Sequence, residues 1–256
     1  MPGSGAARLE GLRAQIAALE AGTRTLHPVL PFGDARVDEC LAGGGLGLGR
    51  WHELGGEGME VETCAAVAAF TAALAAPLAR KGEIVWVLRR DDLFAPGLAG
   101  LGLPPDRLIG VCARDEAEAL AAIEDALGTI GVAAVVGEVE AVSLVAGRRL
   151  QLACERHGAT GLLIRRRPFG GKGTASGSAS ASRWKIAPAP SELSANVPGL
   201  GPPRWRVELE RSRGGRPGNW ILELNEAADE PHPFRVVADL AGDGLASQEE
   251  PERLTA

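Results

Sequence analysis

The stretch from Gly43 to Arg80 constrains this chain more than any other. A glycine-rich turn (Gly43, Gly44, Gly45, Gly47, Gly49) feeds a short apolar run, a second glycine cluster (Gly55, Gly56, Gly58) and a long alanine-rich segment. It reads as loop, strand, phosphate-type loop and helix, the layout in which backbone N–H groups at a helix N-terminus cradle phosphates and a lysine reaches their outer oxygens. The lysine is missing. Laying G-x-x-x-x-G-K-[ST] from Gly55 puts Glu60 at the second glycine, Val61 at the lysine and Glu62 at the hydroxyl. Starting from Gly56 recovers Thr63 but puts Val61 and Glu62 at the glycine and lysine. With Glu57, Glu60 and Glu62 around the turn, either register sets carboxylates where polyphosphate would sit. The sequence keeps the scaffold of a nucleotide site and loses its chemistry.

Downstream, strands and helices alternate. Leu48 to Leu54 predicts a strand, Glu60 to Arg80 a helix, and the near-continuous apolar run Glu83 to Leu88 a strand buried on both faces of a parallel sheet. Arg107 to Ala113, Val132 to Val136 and Thr160 to Ile164 are further strands. Helices are expected over Asp115 to Leu127 and Ser143 to His157. The right-handed crossover rule turns this alternation into an open, mostly parallel three-layer α/β sheet. The pattern breaks at the Gly/Ser-rich stretch Pro168 to Ser182. Shorter strands follow at Arg183 to Pro188, Pro203 to Glu210 and Asn219 to Leu224, read as antiparallel additions to the same sheet. Three regions result: an N-terminal helix and connector (1–30), a core (31–224) with a mobile basic loop near 165–185, and an acidic, partly disordered tail (225–256). The N-terminal helix carries one apolar stripe, Leu9, Leu12, Ile16 and Leu19, too short to stand without something to pack on.

The net charge of −6 hides a segregation. From Arg165 to Arg216 there are eleven basic residues against three acidic ones, whereas from Glu223 onward nine acidic residues face Arg235 and Arg253. The run Arg165-Arg166-Arg167 stands where a strand end meets a flexible loop, a usual place for ligands in open α/β sheets. With Lys172, Arg183 and Lys185, and with Arg204, Arg206, Arg211 and Arg213 in support, it suits contacts to a phosphate backbone, Trp184 being available for base stacking. A solvated basic edge is the bland alternative.

Other chemistry is sparse. Glu138 ends an apolar strand where a magnesium-binding acid would stand in a phosphate-loop enzyme, and Asp91 and Asp92 follow the second strand as candidates for orienting water. His27, His52, His157 and His232 have no nucleophile–acid pattern around them. The scattered cysteines Cys40, Cys64, Cys112 and Cys154 read as buried thiols in a reducing compartment. No metal or cofactor is expected. With no basic-then-apolar leader and no long charge-free apolar run, a cytoplasmic protein without a membrane segment is the expectation.

These features carry a resemblance. FGDARVDECLAGGGLGLGRWHEL (32–54), LAGLGLPPDRLIGV, DEAEALAAIEDAL and VAAVVGEVEAV resemble, in order and spacing, segments of RecA-superfamily cores, and RRLQLACERHGATGLLIRRR resembles the approach to their mobile DNA-binding loop. Within that superfamily the chain resembles the ImuA family of damage-inducible mutagenesis cassettes. Leu30 to Leu46, Asp91 to Leu103, Arg183 to Ser191 and Arg204 to Glu223 carry that likeness. SulA-like division inhibitors are the nearest confusable group. The resemblance implies a RecA-like three-layer core, places Asp91 at the superfamily's catalytic glutamate and Glu138 near its magnesium-associated aspartate, and offers no phosphate-loop lysine. It also implies partners: an ImuB-type Y-family-like subunit and an error-prone C-family polymerase, joined at damaged DNA. The N-terminal stripe, or the region after Asn219 with Ile221, Leu222, Phe234 and Val236, is the expected docking segment. A DNA-stimulated ATPase and a protein-binding regulator of SulA type stand as alternatives.

Overall fold

A computed structural model describes residues 28–166, 179–192, 199–225 and 232–240. The N-terminal stripe (Leu9, Leu12, Ile16, Leu19), Arg167, Lys172 and the last residues of the acidic tail lie outside these. The chain opens with a two-stranded antiparallel sheet of β1 (Val29–Leu30) and β2 (Leu46–Gly47), with the short helix α1 (Ala35–Asp38) between them. Asp34 caps α1 by accepting from the Arg36 N–H, and Asp38 ties the lead down by accepting from Phe32 N at 2.7 Å and Gly33 N at 3.0 Å.

The main sheet has nine strands: β3 (Trp51–Gly56), β4 (Glu83–Leu88), β5 (Leu108–Cys112), β6 (Val132–Val139), β7 (Thr160–Arg165), β8 (Ser182–Ala189), β9 (Arg204–Ser212), β10 (Gly218–Leu224) and β11 (Phe234–Asp239). Their order is β11-β10-β9-β8-β3-β7-β6-β4-β5. From β8 to β5 all neighbours are parallel, while β8 to β11 pair antiparallel. This is the expected mixed α/β architecture with antiparallel additions. Two boundaries move. The first strand starts at Trp51 rather than Leu48, because Gly49 turns the chain through φ +66° just before it. The region drawn as an acidic tail from residue 225 contributes β11, in which Phe234 is buried against the core.

One helix covers one face and two cover the other. Helix α2 (Glu60–Ala75) is apolar nearly all round and accordingly sits deep, with Val67, Phe70 and Leu74 buried. Pro77 cannot donate to the helical ladder, so the expected helix finishes as a 3₁₀ turn over Ala76–Arg80. By length and composition Glu60–Arg80 would suffice to cross a bilayer; here it is a core helix. Between β4 and β5 lies the short helix α3 (Ala95–Leu98). On the opposite face lie α4 (Glu116–Leu127), capped by Asp115, and α5 (Leu144–His157), capped by Ser143 and closed by Gly158. Helix α4 lies so close that a Cβ on Gly137 of β6 would meet Ile123 Cδ1 at 2.3 Å.

On the α2 face an aromatic cluster binds the antiparallel half to the rest. Phe70 stacks on Phe234 at 4.7 Å between centroids and meets Trp205 edge-on at 5.8 Å, while Phe32 stacks on Trp184 at 5.6 Å and on Phe234 at 5.9 Å. Each such pair contributes about 0.5–1.5 kcal/mol beyond the area it buries. The burial of Leu222 and Phe234 in this core withdraws them from the docking segment expected after Asn219, leaving Ile221 and Val236 half-buried.

Candidate functional site

The phosphate-type loop lies at the C-terminal end of β3, and the C-terminal ends of β6 and β7 stand beside it in the sheet. Four charged side chains from four different segments meet there. Glu60 is the first residue of α2, Glu138 stands near the end of β6, Asp92 follows β4, and Arg166 follows β7. The Arg166 guanidinium donates to Glu138 Oε2 at 2.9 Å and 3.1 Å, to Glu60 Oε1 at 3.3 Å and to Asp92 Oδ1 at 3.1 Å. Arg166 is 14% exposed and Glu138 2%. Burial by itself lowers the arginine's pKa, but the carboxylates of Glu138, Asp92 and Glu60 outweigh it and hold the cation above its ordinary value. Trp86 of β4 closes the floor, its indole N–H donating to Glu138 Oε1 at 3.4 Å.

Glu60 thus places a carboxylate in the first turn of α2, where the helix dipole favours negative charge, and Arg90 approaches it at 3.6 Å. The space left among Gly56, Gly58, Thr63 and Arg166 is about 20 Å³. That is room for a water or two. Arg166 is a cation at this loop that the motif could not show. Arg166 comes from the other side of the loop, already engaged with the protein's own acids.

Of the other loop residues, Val61, Glu62, Glu57 and Gly55 do not converge on the site. Val61 is 78% exposed and Glu62 is exposed. Thr63 is buried with its hydroxyl donating to Met59 O at 3.1 Å. Glu57 turns away to Arg206 and to Lys185 (3.3 Å), and Gly55 lies in β3. Asp91 is exposed and makes no ion pair among the described residues, so its neighbour Asp92 is the acid brought to the site. Arg89 is engaged by Glu116 at the edge of α4.

The residues expected to contact DNA divide into groups. Strand alternation sends Arg165 and Arg166 to opposite faces of the sheet. Arg166 is engaged by the acids of the site. Arg165 donates to Glu53 Oε1 at 2.7 Å, and Arg183 donates to Glu53 Oε2 at 3.2 Å. Arg211 lies directly opposite Arg183 across the β8–β9 ladder and donates to Ser180 O and Oγ, both at 2.8 Å. Exposed Arg213 reaches Ala179 O at 3.3 Å. Lys185 and Arg206 are neutralised by Glu57, with Glu208 also 3.4 Å from Lys185. Arg204 pairs with buried Glu223 at 2.6 Å and with Glu192 at 3.0 Å. Trp184 must be corrected outright. It is 2% exposed, stacked on Phe32, and cannot receive a base.

Two functional groups escaped the sequence reading. Glu53, buried on β3, gathers two arginines. Its position next but one to Trp51 on a strand puts it on the same face, which is the signal alternation offered. His52 is fully buried, with Nε2 2.8 Å from Gly47 O and Nδ1 2.6 Å from Ser182 Oγ. A carbonyl can only accept, so Nε2 carries the proton and Nδ1 accepts from the Ser182 hydroxyl. Ser182 Oγ accepts in turn from the Trp184 indole N–H at 2.6 Å. Burial pushes the His52 pKa down to about 4 against the bond to Gly47. Of the cysteines, Cys40 and Cys154 are buried as expected, Cys64 is half-buried and Cys112 is exposed on the edge strand β5.

Fold and site together define a class: an open, mostly parallel α/β sheet with an ion-paired charge cluster around Arg166 at the strand ends beside the glycine loop. No protein-family model matches the chain. Two proteins called Protein ImuA, from two strains of Caulobacter vibrioides, are each 59% identical over 238 residues, covering 90% of this chain and 98% of their own length. The chain belongs to the ImuA family. Among solved structures, SulA from Pseudomonas aeruginosa matches 45% of this chain and 96% of its own, at 24% identity and a TM-score of 0.39.

Proposed function

We propose that this protein is a cytoplasmic accessory factor of damage-induced mutagenesis that acts by binding rather than catalysis. In this reading it contacts single-stranded DNA and joins an ImuB-type Y-family-like subunit and an error-prone C-family polymerase, the partners the family resemblance implies. The observation that carries the non-catalytic part is Arg166 among Glu60, Asp92 and Glu138. Phosphoryl transfer works by positioning and neutralising a polyanion. A triphosphate approaching this site would meet three carboxylates whose cation is already bonded to them. Steady-state ATP hydrolysis, with and without single-stranded DNA, tests the reading, and turnover at the level of a protein-free control is expected. DNA-stimulated turnover that disappears in Glu138→Gln would overturn it in favour of an ATPase. Copurification with the ImuB-type subunit tests the partner half.

A further inference from the structure

Helix α5 carries apolar residues on two sides, and the fold uses one. Gly147, Leu150, Ala153 and Cys154 are buried on the inner side. Opposite them stand Val145, 71% exposed, and Leu152, 63% exposed, with Leu144 beside them at 57%. Positions seven apart lie two turns along one side of a helix, so Val145 and Leu152 form a single outward stripe about 10 Å long. Ten large apolar side chains are exposed among the described residues, and α5 holds three of them. Its neighbour α4, on the same face of the sheet, turns Ala117, Ala121 and Asp125 outward instead. A helix whose outer side met only water would carry polar residues at the centre of that side.

The described chain begins close to the end of this helix. Pro28 O accepts from Leu48 N at 2.8 Å, Gly49 N donates to Thr160 Oγ1 at 3.2 Å, and a Cβ on Gly49 would lie 3.6 Å from Cα of Gly158, the residue that closes α5. Residue 28 is therefore on the order of 10 Å from the C-terminal end of α5, consecutive Cα atoms being ~3.8 Å apart. The segment before it carries the stripe Leu9, Leu12, Ile16 and Leu19. The connector from Ala21 to His27 can span about 23 Å, more than the ~21 Å length of α5 itself. Leu12 and Leu19 have the same spacing as Val145 and Leu152, and the short way back to residue 28 sets Leu19 at Leu152, nearer the end of α5. Other surfaces suit the stripe less. Met59, Val61 and Phe94 stand beyond the C-terminal ends of β3 and β4, at the far end of the sheet from residue 28. The helix-bare side of β8 and β9 presents Lys185, Arg206 and Glu208 in ion pairs. We infer that the outward side of α5 seats the chain's own N-terminal segment, Leu12 against Val145 and Leu19 against Leu152. A protein binding the stripe would then have to displace it from α5.

Hydrogen–deuterium exchange on the full chain, read by mass spectrometry over residues 9–20, tests this against a synthetic peptide of residues 1–27. An isolated helix of this length is marginal in water, so the peptide should exchange freely. In the protein the same amides should exchange at least tenfold more slowly, and Val145→Gln/Leu152→Gln should bring them to within about twofold of the peptide. Leu12→Gln/Leu19→Gln should do the same from the other side of the contact. Val145 and Leu152 are exposed, so the fold should survive their replacement, and unchanged exchange over β4 verifies that it does. Wild-type amides that exchange as fast as those of the peptide would overturn the inference. So would protection that persists in Val145→Gln/Leu152→Gln, since the segment would then be seated elsewhere. Protection that appears only as protein concentration rises, with a doubled mass in light scattering, would overturn it too, by making a second copy the occupant.

Discussion

His52 makes stability depend on pH in a window set by one side chain. Its folded-state pKa is about 4 against an ordinary 6.5, because protonation would put a charge in the core and break the bond that Nδ1 accepts from Ser182. Between these values the unfolded chain binds the proton and the folded one does not, so stability is complete above pH 6.5 and falls as pH drops through that value. The loss levels off below the folded pKa. A shift of about 2.5 units corresponds to about 3 kcal/mol in total, of which about 1 kcal/mol is gone by about pH 5.5. Urea unfolding followed by tryptophan fluorescence measures it, with His52→Gln as reference because other carboxylates also titrate as the pH falls. At about pH 7.5 the variant should be less stable by about 1–3 kcal/mol, since the Ser182 hydroxyl loses its acceptor. The gap should narrow by about 1 kcal/mol on going to about pH 5.5, as only wild type carries the titrating ring. A gap that stays constant over that range would refute the argument, showing that His52 takes up its proton equally in both states.

Other consequences are as direct. Arg166→Met should cost about 3–5 kcal/mol in urea unfolding, because Glu138 and Glu60 would keep partly buried charges without their main cation. Trp184→Phe should leave oligo-dT affinity unchanged, since the ring faces Phe32 and not solvent; a tenfold loss would restore a stacking role. In native protein a thiol reagent should modify Cys112 first, while Cys154, whose pKa burial pushes up to about 12, reacts only after denaturation. Gly137→Ala should destabilise by about 1–3 kcal/mol, by overpacking against Ile123.

Where local pattern decides structure, the chain was readable. Glu83–Leu88 is a strand with the bounds its apolar run predicts, and Asp115 and Ser143 cap the helices their positions announce. Strand β11 was hidden because the acidic, proline-punctuated composition around it outweighs a short alternation in which Phe234 and Val236 are the inward members. Trp184 was misread for the opposite reason. In β8, Trp184 and Ile186 point to the core while Arg183 and Lys185 point out, so the alternation was present but was treated as a single basic stretch. The same period splits Arg165 from Arg166. What no local pattern could supply is the register of parallel strands joined by long crossovers. Glu53 meets Arg165 across 112 positions and Arg183 across 130, and Glu60 meets Arg166 across 106. Those pairings tie the basic tract to acids on distant strands and helices.

The ion pairs of Arg166 set a condition on any cation introduced into the glycine loop beside it. Val61→Lys alone would restore the letter of the motif on an exposed position while the carboxylates stay bonded to Arg166. Removing Arg166 alone would leave those acids uncompensated and the fold weaker. A variant with a lysine engaged at this loop would have to acquire the new cation, release Arg166 and clear at least one acid together, each step alone being neutral or harmful.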